Sequence, residues 1–551
     1  MHIMPHPAAL AATLLLATAT AASAAPDPVA VALESHVRFL ADDALEGRGI
    51  GTRGHEITAR YIATHFAGLG LQPAGDGTGT DAWFQRINFA ERRFTSAKET
   101  ISYTRGADTK EWTNGAEVTL SPGNAEGTDT ITAPIVFAGF GIYDERLGIN
   151  DFAGLDLKGK IVVTLIGAHP GLDSEVGAHL GRTSKATAAL KAGAIGLIQV
   201  RTFAEATRLP FAKSASRARM PVRGLLTPDG QPMGDGAGLQ VRGVLDDGPA
   251  VALFQGAPMS FGQVLDAAVK GPVKGFDLAG TLTIRRAQSI TRISSPNVLA
   301  MLPGSDRKLA GDYVLISGHS DHLGRKLDAA PGADDIFNGA MDNASGTATL
   351  LEVARAITKG KRPRRSILFL ATTAEESGLL GADYFSRRPT MDLRRVVAAV
   401  NIDMPILSCN FGDVIAFGAQ HSTMITSVAA AARAEKLSVS PDPQPEEAIF
   451  TRSDHYPLVR AGIPAVFLKT GGSDAKGGNS CIAVERDFRL NRYHEVNDDM
   501  SQAFDWDAAA KFTRVNTGIV RRIADARGVP LWYAGDYFGE TFAPAAPKAK
   551  R

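Results

Sequence analysis

Cysteine is almost absent from this sequence: Cys409 and Cys481 are the only two among 551 residues. Two cysteines cannot build a disulfide framework, and they cannot supply the thiolates of a common structural zinc site. A single bridge between them fits an oxidising compartment, and two separate thiols fit the sequence equally well. Any metal site in this chain is therefore expected to use oxygen and imidazole ligands.

A strong net charge is also lacking, because 59 basic and 58 acidic residues leave a formal charge of +1. Such a balance gives no reason to expect nucleic acid or an anionic membrane as a partner. After the first 25 residues, no apolar run is long enough for an integral membrane segment. The apolar fraction of 44% and the charged fraction of 21% are typical of a globular protein. The length predicts two or three domains.

Residues 1–25 are predicted to be a signal peptide. The apolar run from Ala8 to Ala22 ends in Ala22-Ser23-Ala24, a small-x-small cleavage pattern. We therefore expect an exported protein whose mature chain begins near residue 25. The sequence leaves open whether it stays in the periplasm or is secreted.

Strands and helices alternate through the second half of the chain. Apolar runs predict strands at 297–302, 313–317, 366–371, 396–402 and 464–468, and helical periodicity predicts helices at 344–357, 378–385, 421–434 and 506–526. This alternation predicts an α/β fold: a mixed, mostly parallel sheet with helices on both faces. Residues 27–70 are predicted to add two helices, joined by a glycine-rich turn that we place near the rim of the site.

Two adjacent carboxylates, Glu375 and Glu376, follow the apolar strand 366–371. The carboxyl ends of parallel strands face the crevice where α/β proteins bind ligands. One carboxylate at such a point can hold a metal ion while the other moves a proton from a metal-bound water. The simpler alternative is a solvated pair at the start of a helix, where negative charge is favoured.

Other candidate ligands lie at comparable positions. His319 ends another strand, and Asp321 is placed to accept its second ring proton. Asp342 opens a helix, where it could instead act as a cap. Asp403 follows an apolar strand, a place where an unpaired carboxylate would be costly, and His494 lies in a late polar loop. Together with Glu376, these ligands would serve two divalent ions about 3.5–4 Å apart.

The order of these motifs resembles the family of dinuclear zinc exopeptidases that contains bacterial leucyl aminopeptidase, aminopeptidase Y and glutamate carboxypeptidase II. The resemblance covers about 27–120 and 285–535. It is carried by H-x-D, D-N-x-S-G, E-E-S-G-L-x-G, N-x-D after a strand, S-D-H before G-I-P, and Y-H. The resemblance implies the zinc exopeptidase fold, a peptide substrate and two zinc ions per chain, with other divalent ions as alternatives.

The resemblance also implies which residues bind the two ions. His319 and Asp403 would hold one zinc, Glu376 and His494 would hold the other, and Asp342 would bridge them.

Three further residues receive roles from the resemblance. Glu375 would act as general base and acid on the bridging water, and Asp321 would orient His319. Tyr493, next to His494, would stabilise the oxyanion. The segment Ser453-Asp454-His455 is interpreted as structural, lining the site without binding metal.

Residues 125–258 resemble the protease-associated domain, inserted into the peptidase sequence. The matching features are Phe140-Gly141, Asp151-Phe152, the Lys158-Gly159-Lys160 turn and the Lys191–Ala194 helix end. We therefore predict a signal peptide at 1–25, the N-terminal part of the peptidase domain at 26–124, the inserted domain at 125–258 and the catalytic part at 259–540. The tail, 541–551, is predicted to be disordered. The segment 324–338 is longer than in compact relatives and is interpreted as a lid or specificity loop.

Four functions are compatible with these features. The first is an exported aminopeptidase. The second is a carboxypeptidase or dipeptidase on the same metal site, with Arg325, Arg452 and Arg460 as candidates for binding a substrate carboxylate. A glutaminyl cyclase of related fold and a non-catalytic binding protein are the others, and the filled set of five ligands plus Glu375 argues against both. The preferred side chain and the oligomeric state remain open.

Overall fold

The sheet of the main body has four parallel central strands. The computed structural model describes residues 27–551, so the predicted signal peptide lies outside the described residues. In spatial order the four strands are Ser366–Thr372, Tyr313–His319, Val396–Ile402 and Ala465–Thr470. The first lies antiparallel to the long strand Phe276–Leu302. The predicted mixed, mostly parallel sheet is confirmed.

Shorter strands complete both edges of this sheet. Asp413–Phe417 lies antiparallel to Ala465–Thr470 and carries Ser438–Ser440 on its outer side. At the other edge, Gln72–Pro73 and Phe84–Phe94 pair with the long strand.

Helices cover both faces of the sheet, which explains why its central strands read as continuous apolar runs. Successive side chains alternate between faces: Ile367, Phe369 and Ala371 pack on one side, Leu368 and Leu370 on the other. The helices of the first face are Pro28–Leu40, Arg53–Gly68, Ser345–Lys359, Met424–Ala434 and Trp506–Asp525. Those of the second are Leu380–Arg387, His455–Arg460 and Tyr537–Phe542. Across residues 27–551, every helix is too short or too polar to cross a membrane.

A second unit is inserted between the first helices and the four parallel strands of the main body. Its parallel strands are Ile161–Leu165, Gly196–Val200 and Val241–Leu245, with Gly127–Phe137 alongside the first. Its longer helices are Lys185–Lys191, Asp247–Leu253 and Phe261–Lys270. The strand–strand–helix–strand order predicted for 133–200 is observed.

The inserted unit is larger than the predicted 125–258. Three strands pair within it rather than within the sheet of the main body: Thr100–Arg105, Asp108–Thr113 and Val118–Leu120. The strand Phe276–Leu302 belongs to both units, because its first half pairs with Gly127–Phe137 and its last residues with Ser366–Thr372. A strand of 27 residues that crosses two units carries no sequence signal for a boundary.

The C-terminal tail is ordered, contrary to the prediction of disorder for 541–551. Lys548–Ala549 pairs in parallel with Trp532–Tyr533. The Lys548 ammonium donates hydrogen bonds to the carbonyls of Ala543 and Ala546, at 2.6 and 2.9 Å. These backbone contacts hold a segment whose Ala, Pro and Lys composition is typical of a disordered end.

The two cysteines form a disulfide. Cys409 and Cys481 are joined with a Cα–Cα distance of 5.6 Å and a sequence separation of 72 residues. The bridge ties the loop after Asp403 to the helix Ser480–Asn491, which precedes His494. The sequence was compatible with either a disulfide or two separate thiols, and the structure contains the disulfide.

A buried histidine connects the inserted unit to the main body. His421 Nδ1 lies 2.6 Å from Asp536 Oδ2, and its Nε2 lies 2.7 Å from Glu175 Oε2, which belongs to the inserted unit. Gln420 donates a further hydrogen bond to Glu175. Burial opposes a positive charge on His421, but the two carboxylates outweigh it and raise the pKa of the imidazole to about 9.

This contact predicts a pH dependence of stability. The pKa of His421 is higher in the folded protein than in the unfolded chain, so its contribution is complete below pH 6.5 and is lost as the pH rises through 9. The free energy of unfolding should fall by about 3 kcal/mol across that window. Denaturant titrations on both sides of the window test this. In the variant His421→Gln, the free energy of unfolding should change much less across this pH window. A decrease equal to that of the wild-type protein would show that His421 is not the group responsible.

Candidate metal centre

The candidate site lies where the four parallel strands end. His319 is the last residue of its strand, and Asp403 follows Val396–Ile402 directly. Glu375 and Glu376 follow Ser366–Thr372 by three and four residues. Asp342 comes from the distorted turn Ala340–Ala344, which precedes the helix Ser345–Lys359.

The five predicted metal ligands converge around Asp342. One of its oxygens, Oδ1, lies 3.3 Å from His319 Nε2, which is also 3.2 Å from Asp403 Oδ1. The other oxygen, Oδ2, lies 3.3 Å from His494 Nε2, which is 3.0 Å from Glu376 Oε2. A single carboxylate therefore reaches both groups of ligands, the arrangement required of a bridging residue.

Without a metal ion, the neighbouring carboxylates keep the two histidines of this site protonated. Burial disfavours charge, but Asp403 and Asp342 raise the pKa of His319 well above its usual value. For His494 the neighbouring Glu376 and Asp342 raise the pKa to about 10. Protonated histidines supply the positive charge that the crowded carboxylates require. A divalent ion would replace those protons, so metal binding at this site is expected to release them.

The donor set fits zinc. Within the described residues, His319, Asp342 and Asp403 offer ligand atoms that all lie within 4.8 Å of one another, and so do His322, Asp342 and Glu376. Imidazole and carboxylate donors without thiolate suit zinc or a similar divalent ion.

His322 is a buried neighbour of the site to which the sequence analysis gave no role. Its Nδ1 lies 2.6 Å from Glu376 Oε1, and only 2% of the residue is exposed. Its Nε2 has no hydrogen-bond partner among residues 27–551. The contact fixes the orientation of the Glu376 carboxylate. In the sequence, His322 is visible only as the second histidine of the Gly318–His322 segment. Spacing alone could not distinguish it from a histidine on the surface.

Glu375 lies within reach of both His319 and Glu376. Burial raises the pKa of its carboxyl group well above the usual value, and the nearby carboxylates add to that effect against the opposing charge of His319. A carboxylate with a raised pKa holds a proton readily. This is the property required of a base that collects a proton and passes it on.

Asp321 contacts both His319 and the backbone of Glu375. Its carboxylate Oδ1 lies 3.8 Å from His319 Nδ1, and the same ring nitrogen lies 3.2 Å from the Asp321 carbonyl oxygen. The backbone N–H of Glu375 donates to Asp321 Oδ1 at 3.2 Å. Asp321 thus ties the predicted base to the histidine that it was predicted to orient.

Ser453 supports Asp403 through a chain of side chains. Its hydroxyl donates to Asp403 Oδ2 at 2.6 Å and accepts a bond from Asn401 Nδ2 at 2.7 Å. Ser317 donates to Asn401 in turn. Asp454 accepts a hydrogen bond from Thr372 and stays outside the ligand clusters. The structural interpretation of the Ser453–His455 segment agrees with these contacts.

Tyr493 borders the cavity above the ligands. Its ring stacks on His494 with the ring centroids 3.9 Å apart, and it lines the same cavity as Glu375 and Asp403. Burial raises the pKa of its hydroxyl, so the group remains a hydrogen-bond donor at neutral pH. Its position is compatible with the oxyanion role implied by the resemblance.

Arg48 anchors the loops beneath the site. Its buried guanidinium donates to the carbonyls of Asn338, Gly339 and Ser320 at 2.6, 2.9 and 3.2 Å. These carbonyls flank the segments that carry Asp342 and Asp321. Burial lowers the pKa of Arg48 to about 10, so the residue stays charged at neutral pH. The sequence placed its glycine-rich turn near the site without identifying this contact.

The segment 324–338 forms a short hairpin against that same turn. Gly324–Arg325 pairs with Ile336–Phe337, and Arg325 binds Asp335 at 2.7 Å. A Cβ on Gly47 would lie 2.4 Å from the Gly324 carbonyl oxygen, so the hairpin packs closely on the turn. Its predicted role as a lid or specificity loop remains a prediction.

Asp498 holds the backbone of the turn that carries Asp342. It accepts hydrogen bonds from the backbone N–H groups of Met341 and Asp342 at 2.9 and 3.0 Å, and it is completely buried. Asp498→Ala should lower metal affinity or activity by about 10-fold to 100-fold, because outer partners fix ligand orientation. Metal titration of this variant tests it, with the exposed Asp487→Ala as control. Wild-type metal affinity in Asp498→Ala would contradict the positioning role.

Part of the chain is similar in sequence to known peptidases. Residues 297–520 match the family model described as Peptidase family M28. The chain is 28% identical over 222 residues to leucine aminopeptidase 2 of Arthroderma otae, covering 38% of this chain and 42% of that protein. It is 28% identical over 269 residues to probable leucine aminopeptidase 2 of Aspergillus fumigatus, covering 46% and 48%. The matches span less than half the length of these relatives.

A solved structure shares the fold across nearly the whole chain. The aminopeptidase from Aneurinibacillus sp. strain AM-1 aligns with a TM-score of 0.51 at 21% sequence identity. The alignment covers 92% of this chain and 97% of that one.

Proposed function

We propose that this protein, whose residues 297–520 match the model of peptidase family M28, is an exported zinc aminopeptidase that removes N-terminal residues from peptides. The observation that carries the proposal is the position of Asp342, whose two oxygens face His319 and His494. The names of the fungal relatives favour an aminopeptidase. We propose two zinc ions per chain, held by His319, Asp403, Glu376, His494 and the bridging Asp342.

Metal supplies one part of the proposed chemistry and the chain supplies the rest. When bound, the zinc pair would lower the pKa of a shared water and polarise the carbonyl of the scissile bond. Glu375 accepts the proton of the attacking water and donates it to the leaving amine. The Tyr493 hydroxyl donates a hydrogen bond to the developing oxyanion. Asp321 and Ser453 hold His319 and Asp403 in place.

Export is supported by the disulfide. A bridge between Cys409 and Cys481 persists in an oxidising compartment and is rare in the cytosol. This agrees with the signal peptide predicted for residues 1–25. We further propose that the inserted unit is a protease-associated domain that restricts access to the site, on the basis of its strand and helix order and of Glu175, which contacts the peptidase body.

A carboxypeptidase or dipeptidase is the second candidate, because cationic side chains line the cavity. Arg452, Lys469 and Arg489 all border it. Of the three arginines considered from the sequence, only Arg452 does. Arg325 lies in the 324–338 hairpin, and Arg460 pairs with Asp235 at 2.8 Å.

Peptides with blocked ends separate these functions. The purified mature protein is incubated with one peptide in three forms (free, N-acetylated and C-amidated), with and without a chelator, and the products are read by mass spectrometry. We expect shortening from the N-terminus of the free and amidated forms, no cleavage of the acetylated form, and loss of all cleavage with chelator. Shortening of the acetylated peptide from its C-terminus would establish the carboxypeptidase instead. Intact peptides throughout would refute both the aminopeptidase and the carboxypeptidase.

A further inference from the structure

Lys469 is a buried lysine in the wall of the metal cavity. It is the next-to-last residue of the strand Ala465–Thr470, and only 6% of it is exposed. Its ammonium lies 5.7 Å from the centre of the Phe467 ring. The side chain shares the cavity with Asp403, Glu375 and Tyr493.

The Lys469 ammonium lacks a hydrogen-bonding partner within the described residues. Burial and the charge of Arg489 lower its pKa, while the more distant carboxylates of Asp403, Glu485 and Asp342 raise it. Lys185, the buried lysine of the inserted unit, shows the contrast: its ammonium donates to the carbonyls of Leu165 and Gly167 at 2.7 and 3.1 Å. An ammonium that is buried without such bonds is costly. Because this ammonium borders a ligand cavity, its hydrogen-bond acceptor is expected to be a group of the bound substrate.

Two arginines reinforce the positive charge at this wall. Arg489 from the helix Ser480–Asn491 borders the cavity, and burial together with its charge lowers the pKa of Lys469 to about 8. Arg452 borders the cavity as well and binds Glu447 at 2.8 Å. Like charges that face one cavity repel each other unless an anion lies between them.

The carboxylates of the cavity are committed elsewhere in the proposed function, on which this inference rests. Asp342, Glu376 and Asp403 would bind the two divalent ions, and Glu375 would serve the attacking water. Their negative charge would be balanced by the metal ions. Arg489 is paired with Glu485 on its own helix. Lys469 would then be the cation of this wall that faces the cavity without an ion pair among the described residues.

We propose that Lys469, together with Arg489, forms a subsite for a carboxylate of the substrate. Two parts of a peptide carry that group: an acidic side chain on the residue that is removed, or the free C-terminal carboxylate of a short peptide. The subsite makes this protein selective for anionic substrates.

Matched substrate pairs test the subsite and identify the source of the carboxylate. One pair differs only by Glu or Gln at the N-terminal residue, and the other pair is a dipeptide with a free or amidated C-terminus. The wild-type protein should prefer the carboxylate member of one pair. In Lys469→Met that preference in kcat/KM should fall by roughly 10-fold to 100-fold, the usual effect of losing a hydrogen bond to a charged group. Arg489→Gln should reduce the same preference to a lesser degree, and the exposed Lys476→Met should leave it unchanged.

The outcomes distinguish this subsite from the proposed function. Preference for the N-terminal Glu peptide assigns the subsite to the side chain of the removed residue, and preference for the free dipeptide assigns it to the C-terminal carboxylate. Equal rates within both pairs would overturn the subsite while peptide cleavage itself stands. So would a Lys469→Met variant that loses zinc and slows on all substrates alike, because Lys469 would then balance the charge of the metal ligands. Failure of the wild-type protein to cleave any of the four substrates would refute the proposed function, and the subsite with it.

Discussion

Glu375→Gln is expected to lower kcat by about 10²–10⁴-fold, the usual contribution of a positioned general base. Glutamine keeps the size and hydrogen-bonding shape of the side chain but cannot take up a proton. The implied metal ligands are unchanged, so zinc content should equal that of the wild-type protein. Steady-state kinetics with a peptide substrate measure kcat, and a metal assay on the same preparation measures the zinc content.

The matched control for this variant is Glu446→Gln, an exposed glutamate for which the activity should not change. Activity close to wild type in Glu375→Gln would remove Glu375 from the role of base. Loss of both zinc and activity would instead assign Glu375 to the metal ligands. Its ligand atom lies within 4.8 Å of those of His319 and Glu376, which makes this alternative worth testing.

Asp342→Ala should reduce metal affinity by more than about 100-fold, since even the outer partners of metal ligands are worth 10-fold to 100-fold. Asp342 lies 3.3 Å from His319 through one oxygen and 3.3 Å from His494 through the other, so both ions should be weakened together. Activity should fall with metal content and should recover only in part at high zinc concentration. Metal titration by calorimetry, with peptide hydrolysis in parallel, measures both effects.

The exposed Asp334→Asn in the 324–338 hairpin is the control for Asp342→Ala, since it removes one acidic charge nearby without touching a ligand. If Asp342→Ala retained one tightly bound ion and lost only the other, Asp342 would belong to a single ligand group. The bridging assignment would then be wrong.

The sequence predicted the parts of the fold that depend on local pattern. The strand Val396–Ile402 matches its prediction because it is apolar on both faces and bounded by polar residues. The helix Trp506–Asp525 matches because its apolar positions repeat at helical spacing. The parallel order of the strands then placed His319, Glu376 and Asp403 at one edge of the sheet.

Other features depend on contacts between distant segments and left no local signal. Arg48 and Asp498 fix the Asp342 loop by hydrogen bonds to backbone groups, which any sequence could offer. Lys469 lies in an apolar strand, where periodicity cannot show whether an ammonium finds a partner. The ordered tail depends on the pairing of Lys548–Ala549 with Trp532–Tyr533, which composition does not reveal.

The most direct test of the metal centre is a count of zinc in the mature protein, purified without chelator and measured by mass spectrometry of its metals. Two zinc ions per chain, lost on dialysis against a chelator together with peptidase activity and regained with zinc, are the predicted result. A protein that cleaves peptides at full rate without stoichiometric metal would contradict the account, because Asp342, Glu376 and Asp403 would then have no ion to hold.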